Sequence, residues 1–280
     1  MIEPRECLDR RPSLCQHWRV ALCALVILAV AALLPAAQAQ TPAQSDVSVA
    51  LVLAVDTSFS VSNERFELQK QGYAAAFRNP QVLNAIRSLP TQSIAVTMFQ
   101  WTGPLLHVVV VDWAAIKDER SANAFADAIA AAPRQLFRGG TSISGAIDYA
   151  RELLARSPFK GARRIIDISG DGSNNSGRPV TVARDDAVGA GVGINGLPIL
   201  TVEPGLDRYY YDNVIGGPGA FMIPVANYDN FADAILKKLI NEIAAEPRRE
   251  EIMTKAPSQT RPSLRRGFGK SGVLNPINPT

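Results

Sequence analysis

Short apolar segments alternate with amphipathic segments along most of the chain. Segment 48–55 is apolar and rich in β-branched residues throughout, which is typical of a strand buried on both faces of a parallel sheet. Similar patterns predict further strands at 93–101, 107–113, 164–169, 197–202 and, as a short last strand, 220–225. The link between the second and third strands is too short for a parallel crossover, so these two strands are predicted to be antiparallel.

Helical spacing of apolar residues fills the intervals between these strands. A helix is predicted from about 63 to 77, with Ser62 as its N-cap and Phe66, Tyr73 and Phe77 on one face. Further helices are predicted at 122–131, 142–155, 180–190 and 228–244, and a loop rich in Tyr and Gly at 209–219. Strands that alternate with helices indicate an α/β domain with a mostly parallel sheet.

The first 39 residues have the features of a secretory signal peptide. A basic start is followed by the apolar run 20–34 and by the small-x-small pattern Ala37-Gln38-Ala39, which predicts cleavage after Ala39. The alternative is a leader that stays uncleaved as a membrane anchor. All the cysteines lie in this leader, at positions 7, 15 and 23, so a processed protein would have no disulfides and no thiolate ligands.

The rest of the sequence divides into a linker at 40–46, one domain at 47–245 and a tail at 246–280. A domain of this size buries an adequate core by itself. The tail contains five prolines and seven basic residues and is predicted to be disordered. The net charge of +3 is small and no dense basic patch interrupts the domain, which argues against nucleic acid as a partner. No stable membrane span is expected after cleavage of the leader.

Polar residues with oxygen side chains follow the first predicted strand. Asp56, Ser58 and Ser60 offer a carboxylate and two hydroxyls within one turn, and such ligands suit Mg²⁺, Mn²⁺ or Ca²⁺. Asp171 follows the strand 164–169 and would supply a second carboxylate. Because ligands bind at the carboxyl ends of parallel strands, these residues are expected to converge. Each segment alone has an ordinary explanation, since Asp and Ser are common at turns and helix caps.

Three segments together resemble the metal-ion-dependent adhesion site of von Willebrand factor type A (vWA) domains. They are DTSFS at 56–60, GGTSISGAI at 139–147 and DISGDG at 167–172, and the resemblance extends over roughly 47–245. QGYAAAFRNPQVL, INGLPIL and VIGGPGAF are further similar to an uncharacterised group of secreted bacterial vWA-like proteins, a domain of unknown function.

The resemblance implies a fold, a cofactor and a set of ligands. The fold would be a doubly wound, mostly parallel six-stranded sheet with one antiparallel edge strand and helices on both faces. A divalent cation, usually Mg²⁺, would be held by Asp56, Ser58, Ser60, Thr141 and Asp171. Two positions depart from the usual motif, Phe59 where Gly is common and Gly170 where Thr is usual; neither removes a ligand.

The expected function is therefore that of a secreted or periplasmic protein-binding module without enzymatic activity. A partner would bind the cation through an Asp or Glu side chain. One alternative is a Mg²⁺-dependent phosphatase of the haloacid dehalogenase type, with Asp56 as nucleophile, although Ser58 and Asn175 replace two acidic residues of that family. A second alternative is a scaffold that binds no metal.

Overall fold

A computed structural model of the protein describes residues 44–245, and this part of the chain contains one five-stranded sheet. The strands are β1 (Ser45–Asp56), β2 (Ile94–Trp101), β3 (His107–Ile116), β4 (Phe159–Gly170) and β5 (Gly193–Pro198). The predicted signal peptide at 1–39 and the predicted tail at 246–280 lie outside the described residues.

The strand order is β3-β2-β1-β4-β5, so β1 lies in the middle of the sheet. It pairs in parallel with β2 and with β4, and β5 pairs in parallel with β4. From Val47 onward every residue of β1 is buried, as its apolar sequence predicts. The pairing of β2 with β3 is antiparallel and places β3 at the edge, which confirms the prediction made from their short connection.

Helices cover both faces of the sheet, which confirms the doubly wound α/β class. They are α1 (Asn63–Arg78), α2 (Pro80–Arg87), α3 (Glu119–Ala131), α4 (Ile143–Ala155), α5 (Val180–Gly189), α6 (Leu206–Tyr209) and α7 (Phe231–Ala244). Apolar residues of α1, α2, α3 and α7 form one core with the sheet, and those of α4, α5 and α6 form the other. No helix among residues 44–245 is both long and apolar enough to cross a membrane.

Local capping explains where the first helices begin and end. The Ser62 hydroxyl accepts a hydrogen bond from the Arg65 amide at 3.2 Å, which confirms Ser62 as the N-cap of α1. Asn79 ends α1 and also caps α2, because its side chain accepts from the Gln81 amide at 2.9 Å. Helix α2 was not expected, although Asn79 followed by Pro80 is a typical helix start.

The fifth strand lies four residues earlier than its apolar pattern predicts. Strand β5 spans Gly193–Pro198 rather than 197–202, and it includes glycines that disfavour strands in isolation. Gly196 is required there because a Cβ atom at this position would lie 2.7 Å from the Tyr210 ring. The predicted loop at 209–219 is also wrong in part, since Tyr210–Val214 forms a π-helical turn directly after α6.

The sixth predicted strand, at 220–225, is not a continuous strand in the described part of the chain. Its residues form only two isolated parallel bridges. Met222 pairs with Gly196 of β5, and Val225 pairs with Ile199, which directly follows β5. Pro198 and Pro224 have no backbone N–H to donate, so a regular ladder cannot continue past them. The sheet therefore has five strands instead of six.

Candidate functional site

The carboxyl ends of β1 and β4 bring the first and third polar segments together. Asp56 is the last residue of β1, and Asp171 follows the last residue of β4. Both carboxylates are completely buried. The Ser60 hydroxyl donates a hydrogen bond of 2.5 Å to Asp171 Oδ1, so the two loops are in direct contact.

The first loop folds back on Asp56. The Ser58 amide donates to Asp56 Oδ1 at 2.7 Å, and the Ser58 and Ser60 hydroxyl oxygens lie 3.2 Å apart. The second carboxylate oxygen of Asp56, Oδ2, is buried and has no hydrogen-bond partner among the described residues. A buried carboxylate oxygen without a partner is costly, and a cation would remove that cost.

The second loop joins the same cluster through two asparagines. Thr141, just before α4, is 5% exposed, and its amide donates to Asn175 Oδ1 at 2.9 Å. The Asn175 amide in turn donates to the Thr141 carbonyl at 2.9 Å, and Asn174 Oδ1 accepts from the Ser144 amide. A methyl group placed on Gly172 would lie 3.5 Å from Thr141 Oγ1, which shows how closely the second and third loops approach.

An open pocket of about 260 Å³ lies above these three loops. Ser58, Ser60, Thr141 and Asp171 line it, together with Phe59. Asp56 contacts Ser58 from below and is itself fully buried. The structure therefore gathers all five predicted site residues at one place at the carboxyl end of the sheet.

Two carboxylates in one buried site repel each other. Burial and, to a smaller extent, the charge of Asp171 raise the pKa of Asp56 from 3.8 to about 7, although hydrogen bonds from Ser58 act in the opposite direction. Desolvation and a nearby like charge both disfavour the ionised form. A divalent cation between the two carboxylates would offset this repulsion.

Large apolar side chains are exposed on loops at the same end of the sheet. Among the described residues seven large hydrophobic side chains are exposed, and five of these lie on loops at the carboxyl end of the sheet, namely Phe59, Leu105, Leu106, Phe137 and Val202. Phe59 is 81% exposed and lines the pocket with Val202. Exposed apolar side chains beside a pocket are typical of an interaction surface.

Gly170, the second departure from the usual motif, is explained by a tyrosine of the predicted Tyr- and Gly-rich loop, whose contact with the site was not predicted. A Cβ atom at position 170 would lie 3.0 Å from both Asp56 Oδ2 and the Tyr210 hydroxyl. Tyr210 is completely buried and comes from the π-helical turn after α6. The space that a Thr side chain would use is therefore taken by the Tyr210 hydroxyl and the Asp56 side chain.

Gly170→Ala is expected to destabilise the protein by about 1–3 kcal/mol, because overpacking displaces Asp56 or Tyr210. Gly189→Ala is the matched control, since a Cβ atom there would meet nothing within 4 Å. Denaturant unfolding of both variants measures the difference. Equal stabilities would show that the packing around position 170 is loose.

Two more residues contact Asp171 and were also missed. The Tyr228 hydroxyl donates to Asp171 Oδ2 at 2.8 Å, and Arg65 Nη1 lies 3.6 Å from the same oxygen. The sequence shows Tyr228 only as the first residue of a predicted helix, and Arg65 only as a polar residue of α1. Their contacts with Asp171 depend on chain segments that are more than fifty residues away.

Solved structures similar to this chain share one class of fold. A von Willebrand factor type A structure from Catenulispora acidiphila is 16% identical with a TM-score of 0.51, and the match covers 71% of this chain and 44% of that one. The proximal thread matrix protein 1 of the mussel byssus is 15% identical with a TM-score of 0.51, covering 72% and 49%. The pilus adhesin SpaC of Lactobacillus rhamnosus GG is 16% identical with a TM-score of 0.51, covering 71% and 31%.

The protein therefore has a vWA-type fold, as the three sequence segments predict. The matched region spans less than half of each of those solved chains. The chain belongs to the family described as Protein of unknown function (DUF1194), whose model matches residues 46–247. A search of curated proteins finds no match.

Proposed function

We propose that the protein is a metal-dependent protein-binding module of the adhesion type. One observation carries the proposal: the buried carboxylates of Asp56 and Asp171 lie with the Ser58 and Ser60 hydroxyls in one cluster, and Asp56 Oδ2 has no partner within residues 44–245. This arrangement fits a divalent cation, because a cation would reduce the repulsion between the two carboxylates and would bind the carboxylate oxygen that lacks a partner.

Asp56, Ser58, Ser60, Thr141 and Asp171 would hold the cation. All five offer oxygen atoms, so a hard ion is favoured, with Mg²⁺ first and Mn²⁺ or Ca²⁺ as alternatives. Two carboxylates and three hydroxyls leave a divalent ion able to accept one more anionic ligand when bound. The pocket above the loops is open to an incoming side chain.

A carboxylate from a partner protein would fill that position. Phe59 and Val202, which line the pocket, would then contact the partner next to its Asp or Glu. Phe59 would make a central contact because it is both exposed and part of the pocket. We place the mature protein outside the cytoplasm, on the basis of the leader at 1–39 and of a fold shared with a pilus adhesin.

The first test is capture of partners from cell-envelope extracts with the full chain in Mg²⁺ or in EDTA. A specific partner should be retained in Mg²⁺ and lost in EDTA, and Asp56→Asn should lose it in both buffers. Retention that is unaffected by EDTA and by Asp56→Asn would contradict the proposal.

Phe59→Ser is expected to weaken binding of such a partner about tenfold or more, as expected for a large aromatic side chain in an interface centre. Val182→Ser is the matched control, because Val182 is 46% exposed but lies on α5 and does not line the pocket. Titration of the isolated partner by calorimetry compares the two variants. Equal losses for both would assign the binding to another surface.

The phosphatase alternative is tested with the same proteins. A phosphatase of the haloacid dehalogenase type uses an acidic residue two positions after its nucleophile. Here that position is occupied by Ser58, whose hydroxyl lies 3.2 Å from that of Ser60. Hydrolysis of a generic phosphate ester by the wild type in Mg²⁺, with loss of activity in Asp56→Asn, would favour the enzyme.

A further inference from the structure

Arg65 places a positive charge at the edge of the candidate metal site. It lies in the first turn of α1, and its Nη1 donates a 2.8 Å hydrogen bond to the Ser60 carbonyl. The same Nη1 atom lies 3.6 Å from Asp171 Oδ2. The guanidinium therefore contacts both the first loop and the third-loop carboxylate.

Tyr228 contacts both Arg65 and Asp171. Its hydroxyl donates to Asp171 Oδ2 at 2.8 Å, and its ring lies beneath the Arg65 guanidinium, 5.3 Å from ring centroid to Cζ. Tyr228 is 5% exposed, so its position is determined by packing. Both residues thus engage Oδ2 of Asp171, while Oδ1 accepts from Ser60.

The two oxygens of Asp171 consequently have different environments. Oδ2 contacts the Arg65 guanidinium and the Tyr228 hydroxyl, whereas Oδ1 contacts the Ser60 hydroxyl of the first loop. A carboxylate that already interacts with a guanidinium is a weaker donor to a second cation, and the guanidinium also repels that cation.

We propose that Arg65 and Tyr228 are positioning residues that orient Asp171 and lower the affinity of the site for its divalent cation. This inference rests on the proposed metal site. Because Arg65 partly neutralises the charge of Asp171, the bound cation would attract an external carboxylate more strongly. Arg65 thereby lowers the affinity for the cation and favours binding of an external carboxylate to it.

The test is Mn²⁺ affinity, measured by the electron paramagnetic resonance signal of free Mn²⁺ with the full chain. Arg65→Gln should bind Mn²⁺ about five- to tenfold more tightly than the wild type, because one nearby positive charge is removed. Arg65→Lys keeps the charge and should stay within about twofold of the wild type. Arg78→Gln is the matched control on the same helix, since Arg78 pairs with Asp127, and it should leave Mn²⁺ affinity unchanged.

Tyr228→Phe provides a second measurement and keeps the packed ring. Loss of the hydroxyl should tighten Mn²⁺ binding about two- to threefold, because Asp171 Oδ2 loses a donor. An Arg65→Gln or Tyr228→Phe protein that is folded and binds Mn²⁺ no more tightly than the wild type would overturn the inference. Absence of Mn²⁺ binding in the wild type itself would overturn the proposed function with it, so the two failures are distinct.

Discussion

Asp56→Asn is expected to abolish the stabilisation of the protein by divalent cations. For the wild type, Mg²⁺ at one hundred times its Kd should raise the free energy of unfolding by about 2.7 kcal/mol. In a domain of this size that corresponds to an increase in Tm of roughly 5–10 °C. Asparagine keeps the size of Asp56 and one oxygen for the Ser58 amide, but it removes the charge that the cation balances.

Thermal unfolding in Mg²⁺ and in EDTA measures this effect. Asp112→Asn is a suitable control, because Asp112 is exposed on β3 and should leave the response to Mg²⁺ intact. A Mg²⁺-dependent increase in Tm that survives in Asp56→Asn would place the cation elsewhere on the protein.

Lys238→Met is expected to lower the free energy of unfolding by about 3–5 kcal/mol. Lys238 on α7 is completely buried and lies 2.5 Å from Asp167 of β4, and it also pairs with Glu242 one turn further along the helix. Removal of the lysine would leave two buried carboxyl groups without their cation. Asn195 supports Glu242 with a 3.0 Å hydrogen bond but carries no charge.

Lys237→Met provides the matched control, since Lys237 is the preceding residue and is exposed. Its effect on denaturant unfolding should be below about 0.5 kcal/mol, as for most surface substitutions. A Lys238→Met protein as stable as Lys237→Met would mean that the buried ions contribute no net stabilisation.

The same network makes stability depend on pH. Burial, together with the charge of Asp167, raises the pKa of Glu242 from 4.5 to about 7, although Lys238 acts in the opposite direction. A carboxyl group with a raised pKa in the folded state stabilises the protein fully below pH 4.5, and this contribution is lost as the pH rises through 7. Lys238→Met should therefore lose more stability between pH 5 and pH 8 than the wild type does.

Local patterns were sufficient where burial follows directly from the sequence. Segment 48–55 is apolar at every position, and α1 has a clear N-cap and an apolar face, so both elements were predicted within a few residues. The short link before His107 made an antiparallel pair unavoidable. The five candidate ligands come from three segments that resemble the vWA motif, and the fold brings these segments together; their role as ligands stays a prediction.

Features set by distant packing were not predictable. The position of β5 depends on Gly196 facing the Tyr210 ring, and nothing near Gly196 in the sequence indicates that ring. The contacts of Arg65 and Tyr228 with Asp171, and the pairing of Lys238 with Asp167, join residues far apart in the chain. Such contacts appear only when the helices are placed on the sheet.

The irregular pairing at β5 has a consequence for self-association. Edge strands with free N–H and C=O groups are templates on which another chain can add a strand and aggregate. Here the segment around Met222 and Val225 occupies that edge through isolated bridges, and Pro224 interrupts any further ladder. This segment therefore limits backbone pairing with a second molecule at the β5 side of the sheet.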